Sequence, residues 1–366
     1  MEVVIVGAGV FGASLAWWLS REGENVTLVD QFEPGDERTS SGGESRLLRC
    51  SHGSDGEYTA LARRARALWR ELEEEARAEL LLECGVAWFA HRDDGWETAS
   101  EQTLTALAIP VERSAATELY PSFRSDDLAF VLLEPEGGVL RAQATVRALV
   151  AGAAARGARL VRARARPDGA AVVLDDGTRL GGDVVVWACG AWLGRLFGEL
   201  VSIEATRQEL LFFDGGEMWR DPRVPAWVDF DRGIYGTADV DALGVKAALD
   251  RDGPQVDPDH PLPTHATTDC DVRAYLRDRF PALERAPLVR MRPCRYELTP
   301  DTHFVAAPHP EHPSVWLLGG GSGHGFKHGP ALAERVARAL RGQEPLPSRF
   351  GLGARTRGRG MRTASF

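Results

Sequence analysis

The sequence predicts an α/β protein: a parallel-sheet dinucleotide unit interleaved with an α+β unit built on an antiparallel sheet. Three observations predict it. The chain opens as strand, glycine turn, helix and strand. A second glycine cluster, Gly319 to Gly325, follows a strand and precedes a helix near the other end. Between about Thr206 and Leu288, short apolar pieces alternate with Pro/Gly/Asp-rich loops. Both glycine clusters would serve one ligand, so the dinucleotide unit is read as discontinuous: 1–86, 140–205 and 289–345. The second unit takes 87–139 and 206–288, and a basic, flexible tail is expected over 346–366. Two consecutive domains are the alternative.

The elements follow in order. Glu2 to Val6 is a β-branched run that reads as a buried strand. The helix after it continues to about Glu22, with Leu15, Trp18 and Leu19 on one face. Val26 to Val29 is a second strand, ending at Asp30. Glu57 to Leu82 is helix-rich, with mixed charge on its solvent face. Gly85 to His91 reads as a strand and Ala142 to Arg156 as a helix. Arg159 to Ala165 and Ala171 to Leu174 are strands, the latter closed by a turn at Asp175-Asp176-Gly177-Thr178. Asp183 to Trp192 is an apolar strand entering a glycine turn. The pieces LLFF, AWVDF and GVKAAL read as strands, and Asp271 to Arg279 as a helix.

Composition narrows the function. The 366 residues suffice for two sizeable cores. Hydrophobic residues make up 44% and charged residues 26%, as in ordinary globular chains. A net charge of −10 argues against nucleic acid as a partner. The cysteines Cys50, Cys84, Cys189, Cys270 and Cys294 contain no C-x-x-C pair, so neither a disulfide framework nor a metal site is expected. A reducing cytoplasm is the expected compartment, and no apolar run has the length of a membrane span.

The opening turn, Gly7-Ala8-Gly9-Val10-Phe11-Gly12, carries the full dinucleotide fingerprint because Asp30 stands at the end of the next strand. Gly7 permits the tight turn, Gly9 the approach of a pyrophosphate, and Gly12 close helix–strand packing. The helix N-terminus offers amide donors and a positive dipole end. Asp30 is placed to accept from a ribose hydroxyl. The C-terminal cluster offers a second helix start, suited to the anionic edge of a reduced flavin, with Lys327 close behind. This favours FAD over NAD. Cys294 lies between Arg292 and Arg295, a setting that favours the thiolate.

Several motifs in order resemble the glycine/D-amino-acid-oxidase superfamily of flavoproteins, within it the monomeric sarcosine oxidase and N-methyltryptophan oxidase group. They are GAGVFG, SSGGESRLLR at Ser40 to Arg49, DVVVWACGAW, GVK at Gly244 to Lys246, PCRYELTPDTHF and GSGHGFK at Gly321 to Lys327. The resemblance spans roughly residues 1–345 and implies a Rossmann-like, p-hydroxybenzoate-hydroxylase-like fold. It implies FAD attached covalently through Cys294, two residues before Tyr296. It implies that Arg49 and Lys327 hold a substrate carboxylate and that Lys246 activates oxygen. Tyr235 would stand at the pocket edge and Arg46 near the flavin. Cofactor contacts are expected from Gly7, Gly9, Val10, Phe11, Gly12, Asp30, Ser41, Arg46, Gly190, Trp192, Cys294, Tyr296, Gly321, Gly323, His324, Gly325, Phe326 and Lys327. Lys246 and Lys327 are the only lysines in the chain, which sets both positions apart from its arginine-rich background.

Two departures bear on the substrate. Sarcosine-oxidising members have a histidine four residues after the oxygen-activating lysine, where this chain has Asp250, and another where it has Gly42. The expected activity is therefore oxidation of a secondary amine, or of an N-methyl or cyclic amino acid, to an imine, with hydrogen peroxide as co-product and a monomeric protein. The alternatives are a dehydrogenase, an imino- or D-amino-acid oxidase of secondary metabolism, and a flavin-binding protein without turnover.

Overall fold

The strand Glu2–Val6 runs through the middle of a six-stranded sheet, hydrogen-bonded to Asn25–Asp30 on one side and Val184–Trp187 on the other. This computed structural model describes residues 1–114 and 119–356. Arg159–Arg162 extends the sheet beyond Asn25–Asp30, and Val315–Gly319 extends it beyond Val184–Trp187. These five strands are parallel, and Val305–Pro308 adds an antiparallel edge. The central strands are apolar on both faces because both faces are covered. On one face, the helices Val10–Arg21, Ala142–Ala155 and Gly329–Leu340 bury Ile5, Leu15, Trp17, Val146 and Leu332 in a common core. On the other, a small antiparallel sheet that includes the expected hairpin packs Val172 and Leu174 against Val4, Val29 and Trp187.

The second sheet has eight strands. Its order runs from Leu288–Leu298 through Glu204–Phe213, Val245–Leu249, Ile234–Asp239, Ala226–Asp229, Val86–Ala90 and Phe130–Glu134 to Glu112–Ser114. All neighbours are antiparallel except Ala226–Asp229 beside Val86–Ala90. The helix Asp269–Arg279 packs Val272, Tyr275 and Leu276 beneath it. Two assignments from sequence change. The strand Leu288–Leu298, expected in the dinucleotide unit from residue 289 on, pairs along Glu204–Phe213 in the second sheet. Residues 346–356, expected as part of a flexible tail, are anchored: Phe350 is fully buried, Arg349 pairs with Glu57 at 2.7 Å, and Arg355 pairs with Asp301 at 2.9 Å. The rest of that tail lies outside the described residues.

The long helix stops earlier than expected, spanning Gly56–Ala76. Arg77 adopts left-handed backbone, and the Glu73 carboxylate accepts from the amides of Leu80 and Leu81, which turns the chain into the short strand Leu81–Leu82. Among the described residues no helix is long and apolar enough to cross a membrane.

Candidate active site

A continuous trench runs from the opening turn to the second sheet. At its first end the wall is built from Gly7, Gly9, Asp30, Gly190 and Trp192. Gly7 has φ +108°, and a Cβ there would lie 2.3 Å from the Ala188 carbonyl oxygen, so no other residue fits the turn. Gly12 does not line the trench; it presses the helix onto the turn, where a Cβ would meet the Gly7 oxygen at 1.9 Å. Asp30 is oriented by the amides of Ala8 (2.5 Å) and Phe32 (2.7 Å), and burial raises its pKa against those two bonds. Ser41 accepts from the Val10 amide at 2.9 Å. The middle of the trench is lined by Phe11, Ser41, Arg46, Tyr296, Gly321 and Gly325.

The trench opens into a recess between the two sheets. Arg49, Tyr235, Lys246, Asp250, Cys294 and Lys327 all line it. These residues come from five separate segments, so only the packing of one sheet against the other brings them together. Gly323, His324, Phe326 and Tyr296 complete the wall nearest the trench.

Lys246 is 1% exposed and its ammonium donates to the Ser45 carbonyl (3.2 Å) and hydroxyl (3.3 Å). Desolvation, reinforced by nearby Arg46, pushes its pKa down to about 7. Lys327 is also buried, donates to the His324 carbonyl at 2.8 Å, and is held well below the usual lysine range by burial and then by Arg49. Arg49 lies 4.8 Å from the Trp88 ring centroid and donates to the Ser51 carbonyl. Burial lowers its pKa to about 10, and the charges of Glu134 and Asp250 oppose that shift.

Cys294 is 5% exposed. The flanking arginines are not the cations that reach its sulfur. Arg292 pairs with Glu44 at 3.1 Å, and Arg295, on the opposite face of the strand, donates to the carbonyls of Arg38 and His260. It is Arg46 whose guanidinium reaches Sγ, at 3.8 Å, and it also donates to the carbonyls of Ser40 and Gly42. A cation therefore does stand by the thiol, but it comes from the SSGGESRLLR segment. Gly42 lies outside the recess; a Cβ there would be 2.3 Å from the Asp36 oxygen, so the backbone of residues 36–37 occupies the space a histidine would need.

Sequence reasoning missed several lining residues. Trp88, Leu210, Phe230 and Ile234 form the apolar walls of the recess, brought there by strand order with no local motif to mark them. Ser40 and Glu297 border the trench, each one residue away from an expected contact, Ser41 or Tyr296. Behind Lys327, His52, His324 and His328 cluster with potential ligand atoms within 4.8 Å of one another. The His52 and His328 Nε2 atoms are 3.2 Å apart, a hydrogen bond between neutral rings. Burial, with Lys327 and Arg49 close by, holds both rings uncharged, and the same cations oppose a metal ion there.

The fold and this recess define a class before any relative is considered: a flavin-type oxidoreductase with a recess lined by buried cations beside the dinucleotide trench. Residues 2–339 match the model of the FAD dependent oxidoreductase family, to which the chain belongs. It is 30% identical to monomeric sarcosine oxidase of Bacillus sp. (strain B-0618), over 93% of each chain. It is 27% identical to N-methyl-L-tryptophan oxidase of Yersinia pestis (strain Pestoides F), over 94% of this chain and 96% of the relative. The fold is shared with L-proline dehydrogenase from P. horikoshii (TM-score 0.81, 21% identity, 94% and 95% covered). It is also shared with NikD, an amino acid oxidase of nikkomycin biosynthesis (TM-score 0.77, 22% identity, 95% and 96% covered). The trench fits FAD: Ser40 Oγ and Glu297 Oε2 are buried polar atoms without a partner among the described residues, and both border the trench.

Proposed function

We propose that the chain oxidises a secondary or cyclic amine bearing a carboxylate, with oxygen as acceptor, giving an imine and hydrogen peroxide. The observation that carries this reading is the convergence of Arg49, Lys327, Lys246 and Tyr235 on one recess, with Cys294 and Tyr296 at its edge. FAD, when bound, supplies the two-electron acceptor for the amine and passes those electrons to oxygen. Overall, the substrate loses two electrons and two protons, one from carbon and one from nitrogen. Oxygen gains the same and becomes hydrogen peroxide. Water then hydrolyses the imine.

Arg49 offers a planar fork and Lys327 a point charge to the carboxylate. Anchoring the anion there orients the C–N bond, which recovers part of the entropy otherwise spent on alignment. Lys246 supports oxygen as acceptor: its buried ammonium stabilises negative charge as it develops on oxygen. In this reading Cys294 tethers the flavin, with the Arg46 guanidinium 3.8 Å from its sulfur. The protein acts as a monomer in this reading.

Asp250 sets the substrate apart from a plain N-methyl amino acid. Its charge faces the same cations, Arg49 and Lys327, that receive the carboxylate. In this reading Asp250 adds an acceptor beside the carboxylate clamp that suits a substrate carrying a donor or a positive charge, and the apolar walls of Trp88, Phe230 and Ile234 suit a ring. A peroxide-coupled screen over N-methyl, cyclic, D- and basic amino acids tests this. Basic or cyclic amines should lead, and Asp250→Asn should cut the preference for basic over neutral substrates about tenfold, the size of one charged hydrogen bond. Peroxide from no amine would sink the activity; an unchanged ratio in Asp250→Asn would sink the role given to Asp250.

A further inference from the structure

Glu297 is a buried carboxyl group of which only one oxygen has a hydrogen-bond partner among the described residues. It is 8% exposed and lies one residue after Tyr296. Its Oε1 accepts from the Gly321 amide at 3.1 Å. Among the described residues its Oε2 has no partner and no ion pair neutralises it. Two backbone turns make way for it: a Cβ at Gly190 would come within 2.9 Å of Oε2, and one at Gly321 within 2.9 Å of Oε1. An isolated buried carboxylate is costly, and such groups keep their proton instead.

Its place in the trench gives that proton a use. Five residues border both the first end of the trench and its middle: Val10, Phe11, Ser40, Ser41 and Glu297. Val10 and Phe11 begin the first helix, whose amide donors and dipole would receive a phosphate. The junction is therefore where the dinucleotide's phosphates pass toward its ribityl chain. An ionised Glu297 would repel those phosphates; a neutral one can donate to them.

We propose that Glu297 enters the cofactor site as a neutral carboxylic acid whose Oε2–H donates to the pyrophosphate–ribityl linker of FAD, beside the hydroxyl of Ser40. Burial, with only the Gly321 amide opposing it, raises the Glu297 pKa to about 7, which agrees with this geometry. The other titratable or charged groups along these walls are Asp30, Arg46, Cys189, Arg295 and Tyr296, with Arg164 and Arg195 toward the outer rim. None bonds to Glu297 among the described residues. Since the donor form exists below a pKa of about 7, the grip on the linker is complete at low pH and is lost as pH rises through neutrality.

The test removes the tether so that the non-covalent grip can be read. FAD release from Cys294→Ser is followed by flavin fluorescence at pH 6 and pH 8.5; if the wild type proves untethered, it serves directly. Affinity should fall about tenfold or more between the two pH values, the worth of a hydrogen bond to a charged group. Adding Glu297→Gln, which keeps a donor at every pH, should flatten that dependence near the low-pH value. Adding Glu297→Leu should bind weakly at both. An undiminished pH slope in the Gln variant would overturn the proposal, as would equal affinity of the Gln and Leu variants. In case these variants fold poorly, the wild-type holoenzyme offers a second reading. Its infrared spectrum at pH 6 should contain a buried protonated-carboxyl band that titrates above neutrality, because the bound cofactor stabilises the acid form, and the absence of such a band would equally overturn it.

Discussion

Replacing Lys246 with methionine keeps most of the side chain's length and removes its charge. The ammonium is sealed from solvent, so little water screens it from a reactant in the recess. At an effective dielectric of about 20 and a separation of about 5 Å, one unit charge is worth about 3 kcal/mol. That is roughly two decades of rate. With a pKa of about 7, only about half of the free sites carry the charge at neutral pH, so the loss there is about 30- to 100-fold. The pH dependence has a definite sign. The lysine is charged below its depressed pKa and neutral above it, so oxygen reactivity is full at low pH and falls as pH rises through about 7. An anion in the recess moves that midpoint up, not down. The assay reduces the enzyme anaerobically with substrate, then mixes it with oxygenated buffer in a stopped-flow instrument. Lys246→Met should slow reoxidation while leaving reduction within a few-fold of wild type. Equal slowing of both half-reactions would refute the assignment, and so would a wild-type reoxidation rate that increases through pH 7.

The tether and the carboxylate clamp are tested more simply. Acid-precipitated wild type should keep its yellow colour in the pellet and Cys294→Ser should release it; a coloured wild-type supernatant would refute covalent attachment. Arg49→Lys keeps the charge but loses the fork and its stacking on Trp88. It should lower kcat/KM for a carboxylate-bearing amine about 10- to 100-fold, mainly through KM. An unchanged KM would move the carboxylate elsewhere.

Local chemistry made much of this protein legible in its sequence. Glycines, helix starts and a strand-end acid act through backbone close to them in the chain, so the opening turn and the helix after Gly325 stand where expected. The strand Leu288–Leu298 was not legible as part of the second sheet, because pairing with Glu204–Phe213 joins segments far apart in the chain. Trp88 and Phe230 carry no motif for the same reason. Nor was the anchoring of Phe350 visible: an arginine- and glycine-rich tail follows it, and its burial depends on a core assembled elsewhere.

The sequence by itself determined the cofactor family, the candidate cations and the presence of an unusual acid at 250, since these are properties of residue type and short-range spacing. Only the tertiary structure decided which charges meet. It turned Arg295 away from the neighbouring thiol, brought Arg46 to it, and closed position 42 to any side chain. It set Asp250 against Arg49 and Lys327, and left Glu297 buried with no cation paired to it among the described residues. The physical reason is range. Backbone preferences act over a few residues, whereas burial and charge act across space, between strands that only the completed sheets bring together.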